Sequence, residues 1–446
     1  MGSLFLSRLL TASLLLVTAT GCAPKVVIAT PNDIVRRTGM PARPADAKGT
    51  VIPPGVNITD GLTQDEAVAI ALWNNPDFQV QLANLGFARA DLVDAGLLQN
   101  PVLSLLFPLG PKQLETTLRF PIELWQRPRR VAAATLAAES IASGLEQDGL
   151  VLVSDVKLAY IEYALAQDRI ALAERALTEL NAVAALMDSR FRAGDVSQLE
   201  ARTAAIDAAR ARQDVERARL DAALRANEFR ARIGLALEAV EMPLVLAETA
   251  PTTCAITPAL FDEALTSRPD VRAAELAIEA AAARLGWEES RAFALTAVLD
   301  ANGSGSEGFE WGPGVDAGVP IFNRNQGGKA RAQAEIQRAS SLYLATRQRV
   351  ATEVRAATAQ YRQASVAAGE WQKTVLEPLE EQVQVADRAF NEGEVAYLFV
   401  IEMNRRLTDA RLRTREAEAD IARALARLER AIGRRCGTEG EGTGGV

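Results

Sequence analysis

Histidine is absent from all 446 residues. Its absence removes the commonest general base, the Ser-His and Cys-His nucleophile pairs, and the commonest transition-metal ligand together. Aromatic residues make up only 5%, and cysteine occurs three times. Positive charge is not in excess, with 49 Lys and Arg against 57 Asp and Glu. A phosphate-binding footprint needs clustered cations, so no nucleic-acid partner is expected. Gly303-Ser304-Gly305-Ser306 has no following Lys-Ser/Thr and helix start, so it is a loop and not a phosphate cradle. The many carboxylates form no acid–base pairing pattern. The expectation is a protein that is not an enzyme and holds no cofactor or metal.

What the chain does contain is a repeat. Phe191-Arg192-Ala193-Gly194-Asp195-Val196 returns as Phe390-Asn391-Glu392-Gly393-Glu394-Val395, 199 residues on. Arg232-Ile233-Gly234 returns as Ala431-Ile432-Gly433 at the same offset, and Phe120-Pro121-Ile122 as Val319-Pro320-Ile321. Upstream, Pro76-Asp77 returns as Pro269-Asp270, only 193 residues on. The six extra residues of the second copy fall between these anchors and are assigned to an exposed loop over Asn302–Gly314. So long a period is a duplicated half-protein, not a solenoid.

Each copy reads as the same series of elements. Thr63 with Glu66 is a capping box opening a helix to about Leu98, with a break at Asn75-Pro76. Leu114–Phe120 alternates as a strand, and Val102–Phe107 is its partner across Leu109-Gly110-Pro111. No proline interrupts 129–190, which predicts a very long helix; a turn at 193–195 and a return helix to Ile233 follow, capped by Gly234. In copy two a single helix is expected from Pro258 to about Phe293, then strands Leu295–Ala301 and Gly314–Pro320. A second long helix, Lys329–Phe390, should kink or break a turn at Pro378, and the return helix reaches Ile432. Heptad-like spacing, as in Leu172, Ala176, Leu180 and Val183, asks for coiled-coil neighbours. Hairpins with one apolar face are unstable alone, which suggests strands given to a shared, closed barrel.

The N-terminus has Arg8, an apolar run Leu9–Val17 and small residues before Cys22, the form of a secretory signal. Ala19-Thr20-Gly21-Cys22 resembles a bacterial lipobox, which implies acylation at Cys22, including palmitate. The other reading is an ordinary cleaved signal with an incidental cysteine. In an oxidising compartment Cys254 and Cys436, each following an equivalent helix, either pair as a disulfide or stay as two free thiols.

On these motifs the chain resembles the TolC family of outer-membrane efflux channels, over about residues 62–434. The residues carrying the resemblance are Leu-Thr-x-x-Glu-Ala at 62–67, Asn-Pro at 75–76 and 100–101, Gln-Arg-Pro-Arg-Arg at 126–130, the duplicated Phe-x-x-Gly tips and the closing Ile-Gly pairs. The run 120–130 and Gly194–Glu200 are similar to the heavy-metal (cobalt-zinc-cadmium) branch, although Trp125-Gln126 stands where that branch has Gly-Gly.

The resemblance implies a mainly α fold with a membrane β-barrel, in which a duplicated helix–β-hairpin–long helix–helix unit builds a trimeric barrel continuous with a periplasmic α-helical tube. It implies residues 1–21 as signal peptide, 22–61 as lipidated tether, and 62–235 as the first repeat with strands about 102–120. Residues 236–257 become an equatorial linker, 258–434 the second repeat with strands about 295–320, and 435–446 a disordered tail. The implied partners are two further copies, a periplasmic adaptor, an inner-membrane pump of RND type and outer-membrane lipids. Phe191, Gly194, Asp195, Val196, Phe390, Gly393, Glu394 and Val395 become the periplasmic tip and adaptor contact. Asp195, Glu392, Glu394 and Glu402 become candidates for gating or cation selectivity. Competing readings are a periplasmic adaptor or a coiled-coil lipoprotein; among channels, a drug or type I secretion cargo competes with metal ions.

Overall fold

The computed structural model describes residues 49–58, 60–107, 114–237, 254–303, 309–392, 394–395 and 397–436. The signal, Cys22, most of the tether, the turn at 109–111, Gly393, most of the linker and the tail beyond Cys436 lie outside these.

The elements run in chain order α1 (Gln64–Asn74), α2 (Pro76–Gly96), β1 (Val102–Leu106), β2 (Glu115–Ile122), α3 (Gln126–Ala193) and α4 (Gln198–Ile233). The second copy gives α5 (Ala259–Ser267), α6 (Pro269–Ser290), β3 (Leu295–Gly303), β4 (Phe309–Ala317), α7 (Gln326–Trp371), a π-helical turn (Gln372–Leu376), α8 (Glu377–Asn391) and α9 (Tyr397–Ile432). Among the described residues one compact unit holds 82–145 and 269–347, and the other holds 49–81, 146–268 and 348–436.

Local sequence accounts for most boundaries. Thr63 accepts from the Glu66 N–H while the Glu66 carboxylate accepts from the Thr63 N–H, the expected capping box. Pro378 has no N–H to give the carbonyl four residues back, and the turn just before it widens to π geometry, so the α-helical ladder is interrupted there.

Three expectations need correction. The helix expected from Pro258 to Phe293 is two helices, because Arg268, preceding Pro269, is held extended with ψ 135°. Strand β4 spans Phe309–Ala317, not Gly314–Pro320. The six extra residues are also not a longer loop. The last pair of the first hairpin is Leu106 with Glu115, and that of the second is Gly303 with Phe309, so the second connection is the shorter. Added length has gone into nine-residue strands β3 and β4, since each strand residue gained also gains ladder hydrogen bonds.

In the first unit β1-β2-β3-β4 form one antiparallel sheet in sequence order. In the second unit apolar cores lie between helices: Leu376, Val383, Met403 and Leu407 pack α8 on α9, and Ile161 and Leu165 pack α3 on Ala419 of α9. Tyr160 donates to the Leu62 carbonyl at 3.0 Å and meets Phe229 edge-on at 5.9 Å. Burial, followed by the charge of Glu66, pushes the Tyr160 phenol up to about 12. Cys254 and Cys436 are joined in a disulfide, with Cα atoms 5.1 Å apart.

Candidate functional site

The two tips belong to the second unit. At the first, Gly194 takes φ +85°, a left-handed conformation that reverses the chain. Its N–H donates to the Phe191 carbonyl at 3.0 Å, and the Asp195 N–H donates to the Arg190 carbonyl at 2.9 Å. Ser197 then caps α4, and the Glu200 carboxylate accepts from the Ser197 N–H and hydroxyl, each at 2.8 Å. These bonds, the backbone one foremost, hold the Glu200 carboxyl below its ordinary range. The second tip repeats the reversal, with the Glu394 N–H donating to the Ala389 carbonyl at 2.8 Å. Ala396 stands where Ser197 stands, so that helix starts without the capping hydroxyl.

Val196 packs with Val183, Met187 and Ala204, and Ile401 of α9 joins the same cluster, so both tips share one apolar base. Phe191 remains 40% exposed. The side chain of Phe390 lies outside the described residues. Asp195, Glu392 and Glu394 are exposed, Val395 is half-buried, and Glu402 pairs with Arg406 at 2.9 Å. Among the described residues no three His, Cys, Asp or Glu converge closely enough to hold a metal ion.

The sheet is two-faced. Strand register places Leu103, Leu105, Leu118, Phe120, Leu295, Leu299, Trp311 and Val315 on one face. Ser104, Glu115, Thr117, Arg119, Asp300, Asn302, Glu310 and Asp316 lie on the other. Thr117 donates to Asp300 at 2.8 Å, and Arg119 approaches Asp316 at 3.7 Å. Leu103, Leu105, Trp311 and Val315 are exposed, and within the described sheet β1 and β4 each lack a neighbour on one side.

Residues 126–130, noticed in the sequence only as a motif, hold the roots of both hairpins. The Arg127 Nε donates to the Gly96 carbonyl at 2.7 Å, and Arg130 donates to the carbonyls of Ala95 and Leu97 and to buried Glu123. On the other side Gln126 donates to the carbonyls of Ser290 and Phe293, and Arg129 to that of Gly286. Ala95 and Gly96 end α2 and Ser290 ends α6; such last carbonyls have no partner within their own helix and sit at its negative end, where outside donors serve them. Arg127 with Arg130, and Gln126 with Arg129, thus reach the C-terminal ends of the corresponding helices of both copies. Three arginines around one proline were the available signal; which carbonyls they reach was not readable.

The family model "Outer membrane efflux protein" matches residues 67–235 and 260–434, one match per copy, and the chain belongs to that family. It is an outer-membrane efflux channel, and its family and structural neighbours are channels, not enzymes. The chain is 25% identical over 382 residues to the cobalt-zinc-cadmium resistance protein CzcC of Cupriavidus metallidurans, covering 84% of this chain and 90% of that one. It is 23% identical to nodulation protein T of Rhizobium leguminosarum bv. viciae, covering 83% and 82%. Its fold matches the crystal structure of CusC with TM-score 0.69 at 21% identity, covering 88% of this chain and 98% of that chain. VceC of Vibrio cholerae matches with TM-score 0.66 at 18% identity, covering 83% and 96%. Among the described residues no helix is long and apolar enough to cross a membrane.

Proposed function

We propose that three copies of this chain close their four-stranded sheets into one outer-membrane barrel and conduct heavy-metal cations delivered by a periplasmic adaptor and an inner-membrane pump of RND type. The observation that supports this best is the two-faced sheet with unpaired outer edges on β1 and β4. An open edge cannot face lipid, and pairing β4 of one copy with β1 of the next leaves no edge once the ring closes. The apolar face then meets lipid and the polar face lines the channel. That lining carries Glu115, Asp300, Glu310 and Asp316 against Arg119, a cation-favouring balance. The metal cargo rests on the likeness to the cobalt-zinc-cadmium resistance protein.

In this reading 1–21 is cleaved, 22–61 is a tether acylated at Cys22, 62–235 and 258–434 are the two repeats, and 236–257 joins them. The tip residues Phe191, Gly194, Asp195, Val196, Phe390, Gly393, Glu394 and Val395 meet the adaptor, and the carboxylates of Asp195, Glu392, Glu394 and Glu402 bias entry and gating. Deleting the gene should lower tolerance to zinc, cobalt or cadmium, restored by the intact chain. Loss of tolerance to hydrophobic drugs alone would reject the metal cargo, and a detergent-free monomer in unboiled gels would reject the barrel.

A further inference from the structure

Beyond the end of β4 the chain carries Val319-Pro320-Ile321-Phe322, with Val319, Ile321 and Phe322 exposed by 73%, 63% and 92%. The corresponding residues of the first copy, Phe120-Pro121-Ile122, are paired in β2 opposite Ala297, Thr296 and Leu295. In the second copy the ladder stops at Ala317; Gly318 donates to the Ala294 carbonyl, and Ile321 donates back to the Val319 carbonyl at 2.9 Å. An apolar segment that is sheet in one copy is thus released as an exposed turn in the other.

It is not isolated at that end of the sheet. Leu124 is 77% exposed and keeps the parity of Leu118, Phe120 and Ile122, while Glu123, of opposite parity, is buried on Arg130. Leu124 follows β2, a strand with neighbours on both sides, so a further copy added at a sheet edge does not cover it. Trp125 stacks near Phe293 at 5.9 Å, and Arg291 lies 5.2 Å over the Trp287 ring. Exposed Arg324 follows directly, its Nε donating to the Pro320 carbonyl at 3.2 Å. Apolar tips, aromatic rings and arginines near one end of the sheet are the composition that settles at a membrane–water interface. Length points the same way: β4 has nine residues, the short end of what a tilted membrane strand requires, about 9–11.

We infer that Val319–Phe322, with Leu124 beside it, dips into the periplasmic leaflet of the outer membrane as an anchor that extends the lipid-facing surface below the sheet, with Arg324 at the lipid phosphates. This rests on the barrel reading above. The test is a nitroxide label on F322C, with V319C in its place if that variant fails to assemble. The trimer is reconstituted in phosphatidylethanolamine–phosphatidylglycerol vesicles, and collisions with oxygen and with a water-soluble nickel complex are compared. V315C on the strand and L199C at the tip are the lipid and water references. The expected oxygen-to-nickel ratio at 322 is close to that at 315 and several-fold above that at 199. A label at 322 as nickel-accessible as at 199, or shielded from both reagents by a neighbouring copy, overturns the inference while 315 stays in lipid. Nickel access at 315 itself overturns the barrel reading instead.

Discussion

The two copies close their long helices with the same joint but different chemistry. In the first, Asn75 precedes the helix-starting Pro76 and its side-chain amide donates to the Arg232 carbonyl at 2.9 Å, just before Gly234. In the second, Arg268 precedes Pro269 and donates to the Ala431 carbonyl at 2.9 Å, just before Gly433. Arg268 is 2% exposed and needs a counter-charge, which Glu353 supplies at 2.8 Å. The 199-residue offset places Ser154 where Glu353 stands, so at that position the first copy carries a neutral residue and the second an acid. A buried charge persists only with a partner, which is why the arginine joint needs its acid. The second joint also carries a covalent tie, since Cys436 reaches Cys254 and its N–H donates to Glu429, which pairs with Lys157 at 2.6 Å.

The comparison can be broken hardest at Gly234. A Cβ there would sit 2.3 Å from the Asn74 carbonyl oxygen, at φ +79°. Gly234→Ala should cost more than about 4 kcal/mol and prevent assembly, the size reserved for a named steric mechanism. Gly194→Ala, at φ +85° with nothing within 4 Å, should cost only the left-handed strain, about 1–2 kcal/mol. Denaturant unfolding in detergent measures both, and equal losses would remove the close contact as the cause.

Next comes the covalent tie. Cys254→Ser opens a bridge spanning 182 residues and should lower stability by about 2–5 kcal/mol. The check is that reductant lowers the melting temperature of the parent and leaves the variant unmoved.

The charge exchange gives a finer test. Glu353→Ser removes the Glu353 counter-charge from a buried guanidinium and should cost about 3 kcal/mol. The double change Arg268→Asn with Glu353→Ser recreates the first copy's chemistry and should cost less than that single change. Additive losses in the cycle would show that the pair is not coupled.

Smallest is a carboxylate on the long helix of the first copy. Burial, opposed by Arg415, raises the Asp168 carboxyl above its ordinary value. A folded-state pKa above the unfolded one means the charged form weakens folding, so this residue's contribution improves as pH falls through the folded pKa toward the unfolded value. Asp168→Asn should therefore leave stability unchanged or slightly raised at pH 7 and flatten its pH dependence; a loss at pH 7 would reverse that sign.

Much of this was legible from residues alone. The capping box at Thr63, the glycine turns at 194 and 234 and the helix interruption before Pro378 follow from local rules that need no neighbours. The register of β4 was missed because Trp311, Gly312, Pro313 and Gly314 alternate poorly by hydropathy, and only pairing with β3 fixes which residues face together. The helix break at Arg268 was missed in the second copy although Asn75 had shown it in the first. Of the site, the chain reversals at 191–195 and 389–394 were readable, and the cysteine pair was one of two readings the sequence left open. The helix caps built from Gln126 to Arg130 were not, because their partners lie about 30 residues back in one direction and 160 ahead in the other.

By itself the sequence determined the duplication, the order of elements and the turns, since backbone preferences and hydrophobic period act within a few residues. Only the tertiary structure decided how β4 is registered in the two-faced sheet, which carbonyls the arginines cap, and that the segment after β4 leaves the ladder. Each of those depends on hydrogen bonds and burial between residues far apart in the chain, where local preference is silent.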